Sequence, residues 1–421
     1  MATKKPQIQS APGVSDILPK DQPAFDKVFK ISSNFAKYFN FKKITPPILE
    51  YTELFEKGTG EFTDIVEKQM YNLKTRGGAH LTLRPEFTPS LVRAYIEHGM
   101  HSLPQPVKLF SYGPLFRHER QQAGRYRQFN QINFEIFGAD KPIAEVEVIY
   151  VMYSILEKLG IKNLIIEINS IGDKECRADY KKALVKYLKK HENFLCSTCK
   201  KRLKTNPMRI LDCKEEKCHN AVVNAPQIID HLCKPCHSHF KKVLEYLDQL
   251  GLPYNLNPYL ARGLDYYTRT VFEIVTQNED KNKQGTLIGG GRYDNLIRQF
   301  SRKEIPACGA AGGVERIISL MKEVPEDKPK IFLAQLGDEA KIRALKLLEE
   351  FKKSKILVAE SLDKDSLTNQ LKTANKLEVA YTLIIGEEEA KKDSILIRDM
   401  KTGKQTSVKM SNIIKEIKKK L

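Results

Sequence analysis

Arg117, Glu119, Arg120, Arg125 and Arg127 crowd one short polar loop around Gly124, between two runs, 107–117 and 129–137, that alternate apolar and polar residues. Period-two alternation predicts strands, so the segment reads as a hairpin carrying a cationic tip. Arginine forks match phosphate oxygens in pairs, and Phe129 could stack on a base, so the tip suits a polyanion. The same pattern also describes a hairpin whose tip is merely solvated. Leu83–Thr88, LRPEFT, sets Glu86 and Thr88 two residues apart at a predicted strand-to-helix junction. A carboxylate and a hydroxyl there suit an ammonium group, or equally a helix start with a capping hydroxyl and a dipole-favoured acid. Arg262–Tyr267, RGLDYY, combines an arginine, a carboxylate and two tyrosines, Tyr266 and Tyr267, able to hold a small zwitterion beside a phosphate. Its plain alternative is a polar turn before the strand at 268–276. Two glycine-rich stretches follow, IGGGRYD (288–294) and GAAGGVER (309–316). Neither is a Walker loop or a Rossmann fingerprint, because no Gly-Lys-Ser/Thr and no strand–GxGxxG–helix unit is present.

Six of the eight cysteines run Cys196-x2-Cys199-x13-Cys213-x4-Cys218-x14-Cys233-x2-Cys236. Two CxxC knuckles in a basic chain with no apolar leader read as thiols or a metal rather than a disulfide framework. Four ligands suffice for zinc. Cys196, Cys199, Cys233 and Cys236 come first, with Cys213, Cys218 or nearby histidines as substitutes. The 33 residues between the knuckles exceed the usual spacing of about 15–20. Cys176 and Cys308 read as packing thiols.

The elements that must position these groups follow from length and pattern. A chain of 421 residues is long enough for two or three domains with their own cores. No apolar run approaches the roughly 18–20 residues of a membrane span. The start, MATKKPQIQSAPG, lacks the apolar stretch of a secretory signal, so a cytoplasmic location is expected. The formal charge of +18 is uneven: residues 181–245 carry 15 Lys/Arg against 6 Asp/Glu, and residues 328–421 carry 21 against 14. Basicity confined to two segments fits contact with a phosphate backbone there.

Periodicity predicts a helix at 22–40, then a strand interrupted by Pro46–Pro47 that must lie at an edge or a subunit boundary. A hairpin with a glycine turn precedes a helix from about 88, with Thr88 as N-cap and Pro89 in its first turn. A helix at 142–159 and a buried strand and turn at 163–173 follow the central hairpin. Residues 174–250 read as a helical, basic, cysteine-bearing insertion. Residues 308–324 read as a glycine turn leading into a helix, and VPEDKPK (324–330) as a linker. Beyond it, strand (331–336), helix (338–353), strand (355–359), helix (364–375), strand (380–386), two short strands and a basic helix alternate as in a small α/β domain with a partly parallel sheet.

The central hairpin closely resembles motif 2 of class II aminoacyl-tRNA synthetases, in the form found in histidyl-tRNA synthetases. The helix, strand and proline pair resemble motif 1, and GAAGGVER resembles motif 3. RGLDYY resembles a signature peculiar to the histidine-specific family. LRPEFT is similar to that family's Arg-Pro-Glu-Gly-Thr segment, with Phe87 in place of glycine, a departure that touches packing beneath the loop more than ligands. The resemblance runs from about residue 10 to the C-terminus. It implies an α+β fold: a class II catalytic domain over 1–326, an antiparallel sheet flanked by helices, interrupted by the insertion at 174–250. An anticodon-binding α/β domain at 327–421 and a homodimer complete the implied architecture.

By motif position the resemblance implies roles for named residues. Glu86, Thr88 and Gln131 would hold the α-amino group of histidine. Glu135 and Tyr267 would read the two imidazole nitrogens, with Tyr266 beside them. Arg117 would contact the α-phosphate of ATP, Glu119 the adenine edge, Phe129 its face and Arg316 the γ-phosphate. Arg262 would bridge the histidine carboxylate and the α-phosphate, which makes Arg262 and Arg117 the catalytic pair. Mg²⁺ would accompany the pyrophosphate. Gln121, Gln122 and Arg125 would meet the acceptor end of tRNA(His). Zinc is not implied by the resemblance. Two other readings remain: a regulatory paralogue that does not charge tRNA, which predicts loss of the Arg262 peptide and of the C-terminal domain, and an RNA-binding protein without enzymatic activity, which leaves Glu86, Glu135 and Arg262–Tyr267 unexplained.

Overall fold

The chain was described as a computed structural model over residues 8–60, 63–119, 126–211, 213, 215–277 and 285–421. Two units emerge, Met1–Val324 and Pro325–Leu421.

The first unit begins with α1 (Gln22–Tyr38), whose Val28, Ser32 and Ala36 recur every four residues and are all buried. A two-residue strand, β1 (Lys42–Lys43), ends before the proline pair, and the chain resumes as β2 (Leu49–Tyr51) in another sheet. The expected interruption of one strand is therefore a change of sheet. Arg84 marks the crossing: its guanidinium donates to the carbonyls of Pro46 at 2.6 Å and Pro47 at 3.3 Å, and to that of Pro114 at 3.0 Å. After α2 (Thr52–Thr59), β3 (Tyr71–Lys74) and β4 (His80–Leu83) form the expected hairpin, and β2, β4 and β3 lie in that order in a three-stranded sheet. Helix α3 (Thr88–Glu97) starts where predicted, but Phe87 occupies the N-cap and the Thr88 hydroxyl makes no cap bond.

The central hairpin is β5 (Val107–Phe116) and β6 (Gln128–Phe137), paired antiparallel over their full lengths. Helix α4 (Ile143–Lys158) is buried on nearly all sides, and β7 (Leu164–Ser170) follows. The insertion is helical as expected: α5 (Lys174–Lys190), α6 (Ser197–Thr205), α7 (Glu216–Val222) and α8 (Lys234–Gln249). The chain returns through β8 (Tyr254–Leu256), β9 (Thr268–Thr276), β10 (Ile288–Arg292), α9 (Leu296–Phe300), β11 (Ala307–Gly313) and α10 (Val314–Ile318). The expected glycine turn near 308 is thus a strand: β11 sits between β6 and β10, where small residues let neighbouring backbones approach.

Among the described residues the large sheet runs β1-β5-β6-β11-β10-β9-β7-β8. All its inner pairings are antiparallel, and only the outermost pairs, β1 with β5 and β7 with β8, are parallel. A buried charge cluster ties three elements together behind it. Glu145 of α4 accepts from Arg292 Nε of β10 at 2.8 Å and from the Arg292 Nη2, and lies 2.5 Å from His239 Nε2 of α8. The remaining Arg292 donors reach the carbonyls of Ala139 and Lys141 and the Asp294 carboxylate.

The second unit alternates as predicted: β12 (Ile331–Gln335), α11 (Asp338–Lys353), β13 (Val358–Glu360), α12 (Leu367–Lys376) and β14 (Tyr381–Ile385). A short α13 (Glu387–Lys391), not anticipated, precedes β15 (Ser394–Asp399), β16 (Gln405–Lys409) and the basic α14 (Ile413–Lys420). The strand order is β13-β12-β14-β15-β16, parallel around β12 and antiparallel beyond β14.

Candidate active site

Two adjoining cavities open over the middle of the large sheet. One, of about 340 Å³, is lined by Glu86, Thr88, Glu135, Tyr266, Tyr267 and Tyr293 among others. The second, of about 260 Å³, is lined by Glu119, Phe129, Glu273, Thr286, Glu315 and Arg316. Arg117, Gln131 and Arg262 line both. Each cavity carries three carboxylates and three arginines; the first adds the phenols of Tyr266, Tyr267 and Tyr293, and the second adds Phe129 and Tyr126.

Glu86 and Glu135 of the first cavity are deeply buried, and each accepts at least two hydrogen bonds. Glu86 accepts the Thr59 hydroxyl at 2.7 Å and the Tyr266 hydroxyl at 3.0 Å. Glu135 accepts the Thr88 hydroxyl at 2.7 Å, the Asn133 amide at 3.2 Å and the Tyr293 hydroxyl. The side chain of Thr88 is therefore spent on Glu135 rather than on the helix end. Burial pushes the Glu86 carboxyl above its usual range, against the pull of Thr59 and of the Arg117 charge. Burial likewise raises Glu135, to about 7, although Tyr293, Thr88 and Asn133 favour its charged form. Space for this acid comes from β11: a Cβ on Gly309 would collide with the Glu135 carboxylate and with the Phe134 carbonyl.

Arg117 lies at the end of β5, donates to the Pro85 carbonyl at 2.8 Å and stands 5.5 Å from the Phe129 ring centroid. Its position thus couples the LRPEFT segment to the hairpin. Arg262 lies across β10, and a Cβ on Gly289 would strike its guanidinium. Burial, the largest single influence, would lower Arg262, but its ion-pair partner Glu273 together with Tyr267 and Tyr266 raises it. Its Nε is buried with no hydrogen-bond partner among the described residues. Glu273 also accepts the Thr286 hydroxyl, and the Thr286 carbonyl accepts Arg316 Nη1 at 2.5 Å. Glu315 accepts the Asn130 backbone N–H at 2.7 Å and its side-chain amide at 3.0 Å.

The structure therefore brings Glu86, Thr88, Gln131, Glu135, Tyr266, Tyr267, Arg117 and Arg262 around one cavity, and Arg117, Glu119, Phe129 and Arg316 around its neighbour. Gln121, Gln122 and Arg125 lie outside the described residues. Sequence reasoning missed Thr59, Asn133, Tyr293, Glu273 and Thr286, and it missed Arg209. That arginine reaches from the insertion into the first cavity and stands 3.4 Å from the Asp64 carboxylate. Tyr293 was visible beside the glycine run, but no local signal tied it to Glu135, 158 positions away.

The expected metal quartet is corrected. Cys196 and Cys199 cluster with Cys213 and Cys218, whereas Cys233 and Cys236 cluster with Cys176 and Asp173. The two knuckles start different helices, α6 and α8, so the fold gives each a different partner pair. Cys176, read as a packing thiol, belongs to the second cluster. Cys308 is buried in the core beside β10 as expected.

A family model described as Histidyl-tRNA synthetase matches residues 13–317, and one described as Anticodon binding domain matches residues 330–420. A histidine–tRNA ligase of Aquifex aeolicus is 45% identical over 406 residues, covering 96% of this chain and 100% of the relative. One from Halothermothrix orenii is 42% identical over 417 residues, covering 98% and 99%. The crystal structure of apo histidyl-tRNA synthetase from S. aureus superposes with a TM-score of 0.80 at 33% identity, covering 97% and 99% of the two chains. With both units matched and these relatives spanning nearly its whole length, the chain belongs to the histidyl-tRNA synthetase family, with a class II catalytic domain and a C-terminal anticodon-binding domain.

Proposed function

We propose that the two cavities divide one reaction between them: the cavity lined by the phenols of Tyr266, Tyr267 and Tyr293 takes histidine, and the neighbour that holds Phe129 and Arg316 takes ATP. The observation that carries this reading is the shared wall of Arg117, Gln131 and Arg262. That wall stands where a carboxylate in one cavity would face an α-phosphate in the other. Glu86, with Thr88 and Gln131, holds the α-amino group. Glu135 accepts an imidazole N–H, and Tyr267 meets the other ring nitrogen. A site built to hydrogen-bond both nitrogens rejects analogues lacking them by orders of magnitude. Phe129 stacks on adenine, Glu119 reads its edge and Arg316 meets the γ-phosphate.

Activation is attack by the histidine carboxylate on the α-phosphorus, which forms a phosphorus–oxygen bond as the bond to pyrophosphate breaks. Arg117 and Arg262 offset charge developing on the phosphoryl oxygens, and no protein nucleophile is required. The unpartnered Nε of Arg262 is a donor already buried and waiting for an oxygen. Mg²⁺ would be held at the carboxylates of the second cavity, among them Glu273 and Glu315, and would offset charge on the departing pyrophosphate. Histidine then passes to the 3′ end of tRNA(His), with Gln121, Gln122 and Arg125 toward the acceptor strand and the unit beyond 325 toward the anticodon.

A homodimer in the cytoplasm is the proposed working form. Ile48, Leu49, Tyr51 and Leu73 expose 43%, 46%, 62% and 47% of their surface along the small sheet, an apolar stretch suited to a second copy. Among the described residues no helix is long and apolar enough to cross a membrane.

The test is ATP–pyrophosphate exchange with each of the twenty amino acids in the absence of tRNA. Exchange with histidine alone is expected. Exchange with another amino acid would keep the reaction and overturn the Glu135–Tyr267 assignment, and no exchange from folded, ATP-binding protein would overturn the activation step itself.

A further inference from the structure

Eight potential ligands stand in two quartets: Cys196, Cys199, Cys213 and Cys218 in one, and Asp173, Cys176, Cys233 and Cys236 in the other. Within each, the ligand atoms lie within 4.8 Å of one another. Zinc bound tetrahedrally at about 2.3 Å from each sulfur sets neighbouring sulfurs about 3.8 Å apart, so either group closes on an ion with small side-chain movements. We propose that the insertion holds two structural zinc ions, one in the four-cysteine site and one in the site made by Asp173 with three cysteines. This proposal stands apart from the catalytic reading.

Three observations separate these clusters from cysteines that merely pack. First, backbone N–H groups point at sulfur. Cys196 N donates to Cys218 Sγ at 3.1 Å, Cys199 N to Cys196 Sγ at 3.4 Å and Cys233 N to Cys176 Sγ at 3.1 Å. Such donors stabilise thiolate, the form that binds metal. Second, Cys196, Cys233 and Asp173 are the N-cap residues of α6, α8 and α5, and in each the second ligand lies three residues on, in the first turn. The helix start holds each pair on one side and favours its negative charge. Asp173-x2-Cys176 is thus a third knuckle with a carboxylate in the first position. Third, the two oxygens of Asp173 have separate tasks. Oδ1 accepts the N–H groups of Glu175 and Cys176, at 3.0 and 3.1 Å. Oδ2 faces the sulfurs of Cys236 at 3.2 Å and Cys233 at 3.6 Å. A carboxylate set among three thiols is the donor set of a cation site, and soft thiolates favour zinc over magnesium or calcium.

The two sites nest. The four-cysteine site closes the chain between 196 and 218, and the second joins 173–176 to 233–236 and so encloses the first. Each closure removes freedom from the unfolded insertion and ties the start of α5 to the start of α8. Between the knuckles lie Asn206, which donates to Asp265 at 2.9 Å, and Arg209 at Asp64, so the metals brace the segment that reaches the first cavity.

The experiment is elemental analysis and native mass spectrometry of the full chain purified without chelators. Two zinc ions per chain are expected, falling to one in Cys213→Ser and to one in Cys236→Ser. Co²⁺ in their place should give the intense visible bands of tetrahedral thiolate coordination, weaker per ion at the site holding Asp173. Should a variant fail to fold, the wild-type count decides alone. Fewer than two zinc ions per chain overturns the proposal, as does iron with acid-labile sulfide at either site, or a full zinc count in both folded variants.

Discussion

Glu135 is an acid that the fold keeps near neutrality. Its carboxyl titrates at about 7 because burial disfavours the charge, against an ordinary value of 4.5. The folded protein therefore keeps a proton that the unfolded chain releases between pH 4.5 and 7, so this group lowers stability as pH rises through that window and adds no further pH dependence above it. Glu135→Gln should gain stability relative to the parent across the window and hold that gain above it, measured as the difference in urea midpoints. The ionised form is the stronger acceptor for the imidazole N–H, so histidine affinity in the parent should fall as pH drops below neutrality. The glutamine variant should bind weakly at every pH, and calorimetry would show otherwise if Glu135 does not touch the ring. On the proposed reading Arg262 acts at the phosphoryl group instead. Arg262→Ala should slow pyrophosphate exchange by roughly 10²–10³-fold, the scale of losing one charge-stabilising donor, while histidine affinity changes far less. Unchanged turnover would remove Arg262 from the reaction. Residue types at short spacing made Glu86, Thr88 and Arg262 legible in the sequence. Tyr293 and Thr59 were not, because what gives them meaning is a carboxylate brought from a distant strand or helix.

At the scale of elements, strands and helices were read largely from hydrophobic period, and the misreadings share one cause. The glycines of β11 look like turn residues, yet they form a central strand because Glu135 and the neighbouring backbones need the room a Cβ would fill. Thr88 looks like an N-cap, yet its hydroxyl is drawn to a buried acid. The proline pair looks like one broken strand, yet it hands the chain from one sheet to another under the fork of Arg84. In each case a tertiary partner overrides the local preference. The same holds for the joint between α4, α8 and β10. Glu145→Ala would leave the Arg292 guanidinium in the core with Asp294 as its remaining carboxylate among the described residues, at a cost of about 3 kcal/mol, the low end for breaking a buried ion pair. Chemical denaturation should show this in the catalytic unit, and a loss below about 1 kcal/mol would mean that water reaches the cluster.

At the scale of the molecule, the alternation of strands and helices after residue 330 was enough to predict a separate α/β unit, and the uneven basic charge pointed to RNA at two places. What the sequence could not give was which cysteines meet. Equal spacing makes the two CxxC knuckles look like partners, but the fold starts a helix at each and pairs one with Asp173 and Cys176. Removing 325–421 should spare pyrophosphate exchange, since every residue lining the two cavities precedes it. The same truncation should sharply reduce charging of tRNA, and undiminished charging would overturn the anticodon role of that unit. One small feature has a reach beyond its size. Arg262 and Arg316 both line the second cavity, and both lean on the pair Glu273 and Thr286, the first through the carboxylate and the second through the Thr286 carbonyl. Whatever draws one arginine toward a phosphate also disturbs the support of the other. On the proposed ATP reading the two arginines respond to a triphosphate together, and a double-mutant cycle between Arg262 and Arg316 should return a coupling of about 0.5–3 kcal/mol that Thr286→Val abolishes.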